Sequence, residues 1–259
     1  MFKKLLVIIT PIFFSVYSMA QVPDFSGITR SDAENALEDF TSASYPSIVS
    51  GASSMGMLIG VEAGLVGGIV NADNIKELTN NDVDKLPHLG AYVRVDAPFG
   101  FGAELTIMPI EIDDYKFNSF SIAGRMNINK FIPVLPISAK AKIRIGNADI
   151  EYSGVQQGES LEGDMSNKFT SFDITLSKKL FIVEPYIGLG YIDAEGDFNF
   201  KSSAFGGAQD RSYDNLDMST DHLFLGVNLN LIGFRFGVEY SKLYDADRIL
   251  AKLGFGFGL

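Results

Sequence analysis

Lys252-Leu253-Gly254-Phe255-Gly256-Phe257-Gly258-Leu259, the last eight of the 259 residues, alternate without a break. In an extended strand Leu253, Phe255, Phe257 and Leu259 fall on one side, and Lys252 with the three glycines falls on the other. An apolar strand with an open edge templates aggregation in water. It is stable where lipid covers the oily face and a neighbouring strand closes the edge, and a closed barrel in a membrane supplies both conditions.

Working outward from this stretch, the same period of two recurs back to about residue 56, and ten segments can be counted. Their apolar phases include Met57 to Leu65, Leu89 to Val95, Phe101 to Ile107, Phe120 to Ile128 and Ile137 to Ile145. They continue with Phe172 to Leu176, Val183 to Tyr191, Leu223 to Leu231, Phe234 to Tyr240 and the terminal series from Ala251. The connections alternate in length. Residues 71 to 87, 109 to 118, 147 to 167, 193 to 220 and 242 to 248 form longer links, whereas 97 to 100, 129 to 134, 177 to 181 and 231 to 233 are tight. Membrane barrels have short periplasmic turns and longer outer loops, so both barrel ends are expected on the periplasmic side. The expected fold is all-β: a transmembrane antiparallel up-and-down barrel of about ten strands, with eight and twelve as the neighbouring counts. Its structural rival is a soluble secreted β-sandwich.

At the other end Lys3 and Lys4 precede an apolar run from Leu5 to Val16, and Ser18-Met19-Ala20 offers a small-residue cleavage site. Residues 1–20 read as a signal peptide, which implies export. Without Lys3 and Lys4 the 21 basic side chains fall to 19 against 32 acidic ones, a net charge of −13 that argues against nucleic-acid binding. The five longer links hold 20 Asp or Glu and 7 Lys or Arg, so the acidity is expected at the outward end. The absence of Cys excludes disulfides, thiol catalysis and cysteine metal sites. Between signal and barrel, residues 21–55 break the rhythm. Ser31 with Glu34 suggests a capping box, Ala33, Ala36, Leu37 and Phe40 follow at helical spacing, and Tyr45-Pro46 ends the run. The expected organisation is signal peptide 1–20, helical segment 21–55 and barrel 56–259.

The terminal stretch resembles the C-terminal insertion signal of bacterial outer-membrane barrels, carried here by Lys252, Gly254, Phe257 and Leu259; that family usually ends in Phe or Trp. The resemblance implies an outer-membrane location in a diderm (Gram-negative) bacterium. It also implies the barrel-assembly machinery, membrane lipid and lipopolysaccharide as partners. The chain looks more loosely similar to exported families in which a short helix precedes a small barrel. It lacks the Asn-Pro-Ala signature of the long-chain fatty-acid transporters.

The phase opposite to the apolar one defines the lumen. One half would carry the charges of Arg94, Glu104, Arg125, Lys140, Lys142, Arg144 and Asp173, read as an internal ion-pair network, with Lys140, Lys142 and Arg144 as an anion-selective row the alternative. The other half is thin, built from glycines of the first and last four strands. A helix over 31 to 43 fits as a plug, with Leu37 and Phe40 on the glycine wall and Asp32, Glu34, Glu38 and Asp39 towards the lumen cations. A helix at the periplasmic mouth is the alternative. Chemistry has few carriers. His88 and His222 are the only histidines, and Asp221-His222 is similar to, but not spaced like, the Asp and His of outer-membrane proteases. Asp193, Glu195 and Asp197 alternate carboxylates and form a metal candidate, with a solvated acidic stretch as the plainer reading. The leading expectation is a non-enzymatic structural or interaction barrel with acidic outer parts, a largely blocked lumen and no cofactor. A narrow porin-like channel or transporter for small or hydrophobic solutes, and an outer-membrane hydrolase, are the alternatives.

Overall fold

The computed structural model describes residues 28–56, 59–78, 83–112, 115–130, 137–156, 159–202 and 209–258. The signal peptide and Leu259 lie outside them. Helix α1 (Arg30–Ser44) comes first, followed by β1 (Gly60–Asn71), α2 (Asp73–Leu78), β2 (Lys85–Asp96), β3 (Phe101–Ile107), β4 (Ile110–Ile112) and β5 (Tyr115–Asn127). Then come β6 (Ser138–Gln156), β7 (Glu159–Ser177), β8 (Val183–Ser202), β9 (Gln209–Asn230), β10 (Phe234–Leu243) and β11 (Ala246–Gly258). Apart from β3 and β4, consecutive strands pair antiparallel; β1 pairs with both β2 and β11 and β3 with β5, so the sheet closes on itself. β3 and β4 both pair with β5 and are two pieces of one stave, interrupted at Met108-Pro109 because proline has no N–H for the ladder. The barrel therefore has ten staves.

Its oily face points outward, as a membrane-spanning barrel requires and a sandwich core does not. Leu65, Ile143, Ile145, Leu189, Leu225, Val238, Leu253, Phe255 and Phe257 are all exposed on the outside. At the end holding the tight turns, Phe99, Phe181 and Ile232 stand out from three turns. Phe99 and Phe181 do so with φ of 66° and 61°. A left-handed conformation costs a side-chain-bearing residue ~1–2 kcal/mol.

Several of the longer links are strand. β6 and β7 pair from Ser138↔Ser177 out to Gln156↔Glu159, and β8 and β9 pair out to Ser202↔Gln209. Much of 147 to 167 and 193 to 220, expected as loop, is thus barrel wall, and β10 and β11 pair out to Leu243↔Ala246. The alternation continues there but its polarity reverses. On β8, Ile187, Leu189 and Tyr191 face out below, whereas above them Ile192, Ala194 and Phe198 face in and Asp193 and Glu195 face out. Water has replaced lipid on the outside, so the oily phase moves inside. β9, with 22 residues, rises ~55 Å along the axis at ~3.3 Å per residue and ~40° tilt, against an apolar band ~25 Å tall. The wall built by β6 to β9 accordingly stands well clear of the belt.

Candidate functional site

The lumen is filled by the chain's own amino-terminal segment. Helix α1 lies in the tall end. Its capping box is set two residues earlier than Ser31 and Glu34 suggest: Thr29 is the N-cap, accepting at Oγ1 from Asp32 N at 3.3 Å, while Asp32 Oδ2 accepts from Thr29 N at 2.9 Å. Those hydrogen bonds hold the Asp32 carboxyl below its ordinary range. At the other end Tyr45 N–H donates to Thr41 O at 2.8 Å, and Pro46 stops the helix. Ala33, Ala36, Leu37 and Phe40 pack among Phe169, Ile192, Ala194, Phe198, Leu216 and Met218, the inward apolar residues of the tall wall. A Cβ on Gly196 would sit 2.6 Å from Leu37 Cδ2, so this close approach requires glycine.

This corrects the expected plug in two respects. The helix packs mainly against an oily wall and not against the glycine wall, and its carboxylates do not meet the lumen cations. Glu34 pairs with Arg30 at 3.0 Å in solvent. Asp39 is buried and caps α2, accepting from Asn74 N and Ile75 N at 2.9 Å each. Burial raises the Asp39 carboxyl, and burial together with Asp245, Asp39 and Glu34 raises that of Glu38.

What lies on the glycine wall is the extended segment from Tyr45 to Met55. A Cβ on Gly237 would come within 2.8 Å of Val49 Cγ1, and the Gly60 and Gly258 positions are closed by Met55. Val49 itself has a φ of 51°, a strained state for a β-branched residue. The wall holds this strap largely by its backbone. Lys140 Nζ donates to Ser50 O at 3.1 Å and Gly51 O at 2.9 Å. Asn127 Nδ2 donates to Ala52 O at 2.7 Å, Arg94 Nη2 to Ser53 O at 3.2 Å and Arg248 Nη2 to Tyr45 O at 2.7 Å. In the other direction Ser53 N donates to Glu184 Oε1 at 2.9 Å and Met55 N to Asp96 Oδ2 at 2.9 Å. Buried backbone groups must find partners, and here the barrel's polar side chains provide them.

Below α1 the lumen is charged. Lys252 to Glu62 (3.0 Å), Glu62 to Arg94 (3.7 Å), Arg94 to Asp96 (3.1 Å), Asp96 to Arg125 (3.4 Å), Arg125 to Glu104 (3.2 Å) and Glu104 to Arg144 (2.9 Å) form one buried chain of ion pairs. It runs from β11 across the closing seam to β6. Lys142 pairs separately with Asp173 at 3.1 Å, and Lys140 serves the strap. Tyr45 sits at the boundary between the oily and charged parts. Its ring faces Phe169 and lies under the guanidiniums of Arg144 at 5.9 Å and Arg248 at 5.6 Å, while its hydroxyl meets Ser171 at 2.8 Å. Periodicity marks Tyr45 only as the end of a helix and leaves Arg248 in the outer link 242 to 248. Alternation counted back from Lys252 through Leu250 would have put Arg248 inside.

Lys252 and Gly254 of the terminal motif face the lumen, and Phe257 faces out. Asp193, Glu195 and Asp197 lie along the outer face of β8, and among the described residues no group of three or more His, Asp or Glu is placed to hold a metal ion. Asp197 accepts instead from Asn215 N at 3.0 Å. His222 points inward, away from the exposed Asp221, and its Nδ1 lies 3.3 Å from Asp173 Oδ1. His88 Nδ1 meets Ala43 O at 2.8 Å. Between strap and wall, a water-sized cavity of ≈ 10 Å³ is lined by Ser47, Ser50, Lys140, Lys142, His222 and Glu239 among others.

A family model matches residues 65–258, the barrel from within β1 to the end of β11. The chain belongs to the family of unknown function DUF6588. No curated protein sequence matches. Among solved structures, the chain is similar to the translocator domain of the autotransporter NalP from Neisseria meningitidis. That match has 11% identity over 88% of this chain and 94% of the other, with a TM-score of 0.47. Similar too are the outer membrane protease OmpT from Escherichia coli (10%, 77% and 96%, TM-score 0.41) and Ail, the attachment invasion locus protein of Yersinia pestis (15%, 78% and 100%, TM-score 0.34). This family member is a closed ten-stave antiparallel β-barrel with its oily face outward.

Proposed function

We propose that this chain is a closed, non-enzymatic outer-membrane barrel, exported by its signal peptide and inserted by the barrel-assembly machinery, that works through its outer surface. The observation carrying this reading is the continuous occupation of the lumen: α1 in the tall end and the strap bonded to the wall from Tyr45 to Met55. Both histidines are buried against this filling, which leaves a substrate no approach to them. The wall of β6 to β9, acidic outside and cored by α1, is the part offered to the surroundings, where lipopolysaccharide and external partners are met. α1 begins in the tall end, where Arg30 Nη2 donates to Asn215 O at 3.0 Å, and the strap that follows it leaves at the turn end into β1. The segment therefore threads the whole barrel.

Planar-bilayer recording of refolded, heat-modifiable protein tests the reading. Intact chain should give no conductance steps, and a variant lacking residues 28–54 that still migrates as a folded barrel should conduct. Regular steps from the intact chain would favour the narrow channel instead.

A further inference from the structure

We infer that the turn end of the barrel is seated within the inner leaflet of the membrane, with Phe99, Phe181 and Ile232 as lipid anchors; the inference rests on the outward belt described above. These three residues occupy the tips of three turns and are 78%, 90% and 102% exposed. Short turns facing water are ordinarily polar, rich in Gly, Asn and Asp. Here two of the tips hold phenylalanine in left-handed backbone, where glycine would be unstrained, so the aromatic side chain must gain something where it stands.

The height of the belt says what covers them. On β9 the outward apolar phase from Leu223 to Leu231 spans ~20 Å of height, and on β8 the phase from Val183 to Tyr191 spans the same, short of the ~25 Å apolar band of such barrels. On β7 the run is Phe172, Ile174 and Leu176, only ~10 Å, and it cannot extend upward, because Thr170 and Lys168 follow on the outside. Upward extension is equally closed on β8, where Asp193 follows Tyr191. With upward extension closed, the belt on these staves reaches the full height of the band only if the exposed turn residues Leu180, Phe181 and Ile182 belong to it. Lys178 and Lys179, exposed beside them, fit this placement. Their stems lie along apolar surface and their ammonium groups reach the phosphates of the inner headgroups. The occupant of the turn end is thus lipid, continuous with the belt, and not a periplasmic protein.

The chain contains no Trp, so Phe99→Trp, Phe181→Trp and Ile232→Trp each introduce a single fluorophore. Leu225→Trp serves as the mid-belt control and Glu195→Trp as the outer-wall control. Each variant is refolded into phosphatidylcholine vesicles with ordinary or brominated acyl chains and checked for heat-modifiable migration. The three tip variants should lose at least half of their emission in brominated vesicles, as Leu225→Trp does, while Glu195→Trp loses none. Tip emission that survives bromine and is quenched by aqueous iodide, with Leu225→Trp still quenched, overturns the inference and leaves the tips for a periplasmic partner. An unquenched Leu225→Trp overturns the belt and the inference together.

Discussion

The two halves of this barrel are inverses of one another. In the half that carries the tight turns the outside is oily and the inside charged: Leu225 and Leu253 face out, while Glu104, Arg125 and Arg144 are sealed within. In the tall half the outside is acidic and the inside oily, with Glu195 and Asp217 in water and Phe169, Phe198 and Leu216 around α1. One alternating backbone serves both, and what changes is the medium beyond the wall. The comparison teaches that the fill differs in kind as well. The tall half is cored like a soluble protein by an amphipathic helix, whereas the lower half is filled by an extended strap held by hydrogen bonds to its backbone.

The strongest way to break the lower half is Glu104→Ala, which leaves the buried guanidiniums of Arg125 and Arg144 without their shared carboxylate. Removing one partner of a buried pair costs ~3–5 kcal/mol, and denaturant unfolding in vesicles should show a loss of that size. The outer faces are compared by placing the same cation on each. Leu225→Lys should destabilise by ~2–4 kcal/mol if the residue lies near mid-bilayer, while Glu195→Lys on the tall wall should stay within ~0.5 kcal/mol. Equal losses at the two positions would erase the distinction between the halves.

A smaller effect is expected at the mouth. Thr29→Ala removes the N-cap of α1 and should cost ~1 kcal/mol, seen as faster amide exchange in the first turn of α1 with exchange in β5 unchanged. The smallest is a pH effect. Glu38 and Asp39 have folded-state carboxyls raised above the ordinary 4.5 and 3.8, so the docked helix binds protons more tightly than the free one. Docking should strengthen as pH falls from neutral through their raised values and lose that increment as pH rises again. Asp32, lowered from 3.8, works the opposite way: its share is present above that value and lost as pH falls below it. Exchange of α1 amides, corrected for intrinsic rate, at neutral and mildly acidic pH checks the sign.

How much of this was legible follows from which groups make the contacts. The staves were readable because lipid demands an unbroken oily phase, and Phe255, Leu225 or Ile143 announces it. The tall wall was misread as loop because its oily phase, Ile192, Ala194 and Phe198, lies on the opposite side, and an outward-facing template finds only Asp193, Glu195 and Asp197 there. The inward charges could be named from alternation, but not their partners. Glu62 meets Lys252 across the seam where the first strand closes on the last, 190 positions apart in the chain.

Sequence alone determined that this chain forms an antiparallel barrel of about ten strands with an oily exterior and charges in its lumen, because side-chain alternation is a local property that the membrane amplifies. Only the tertiary structure decided what fills that lumen. The strap from Tyr45 to Met55 is gripped mainly through carbonyls and amides that every residue possesses. No pattern of side chains could therefore have marked its place, and α1 follows to wherever the strap delivers it.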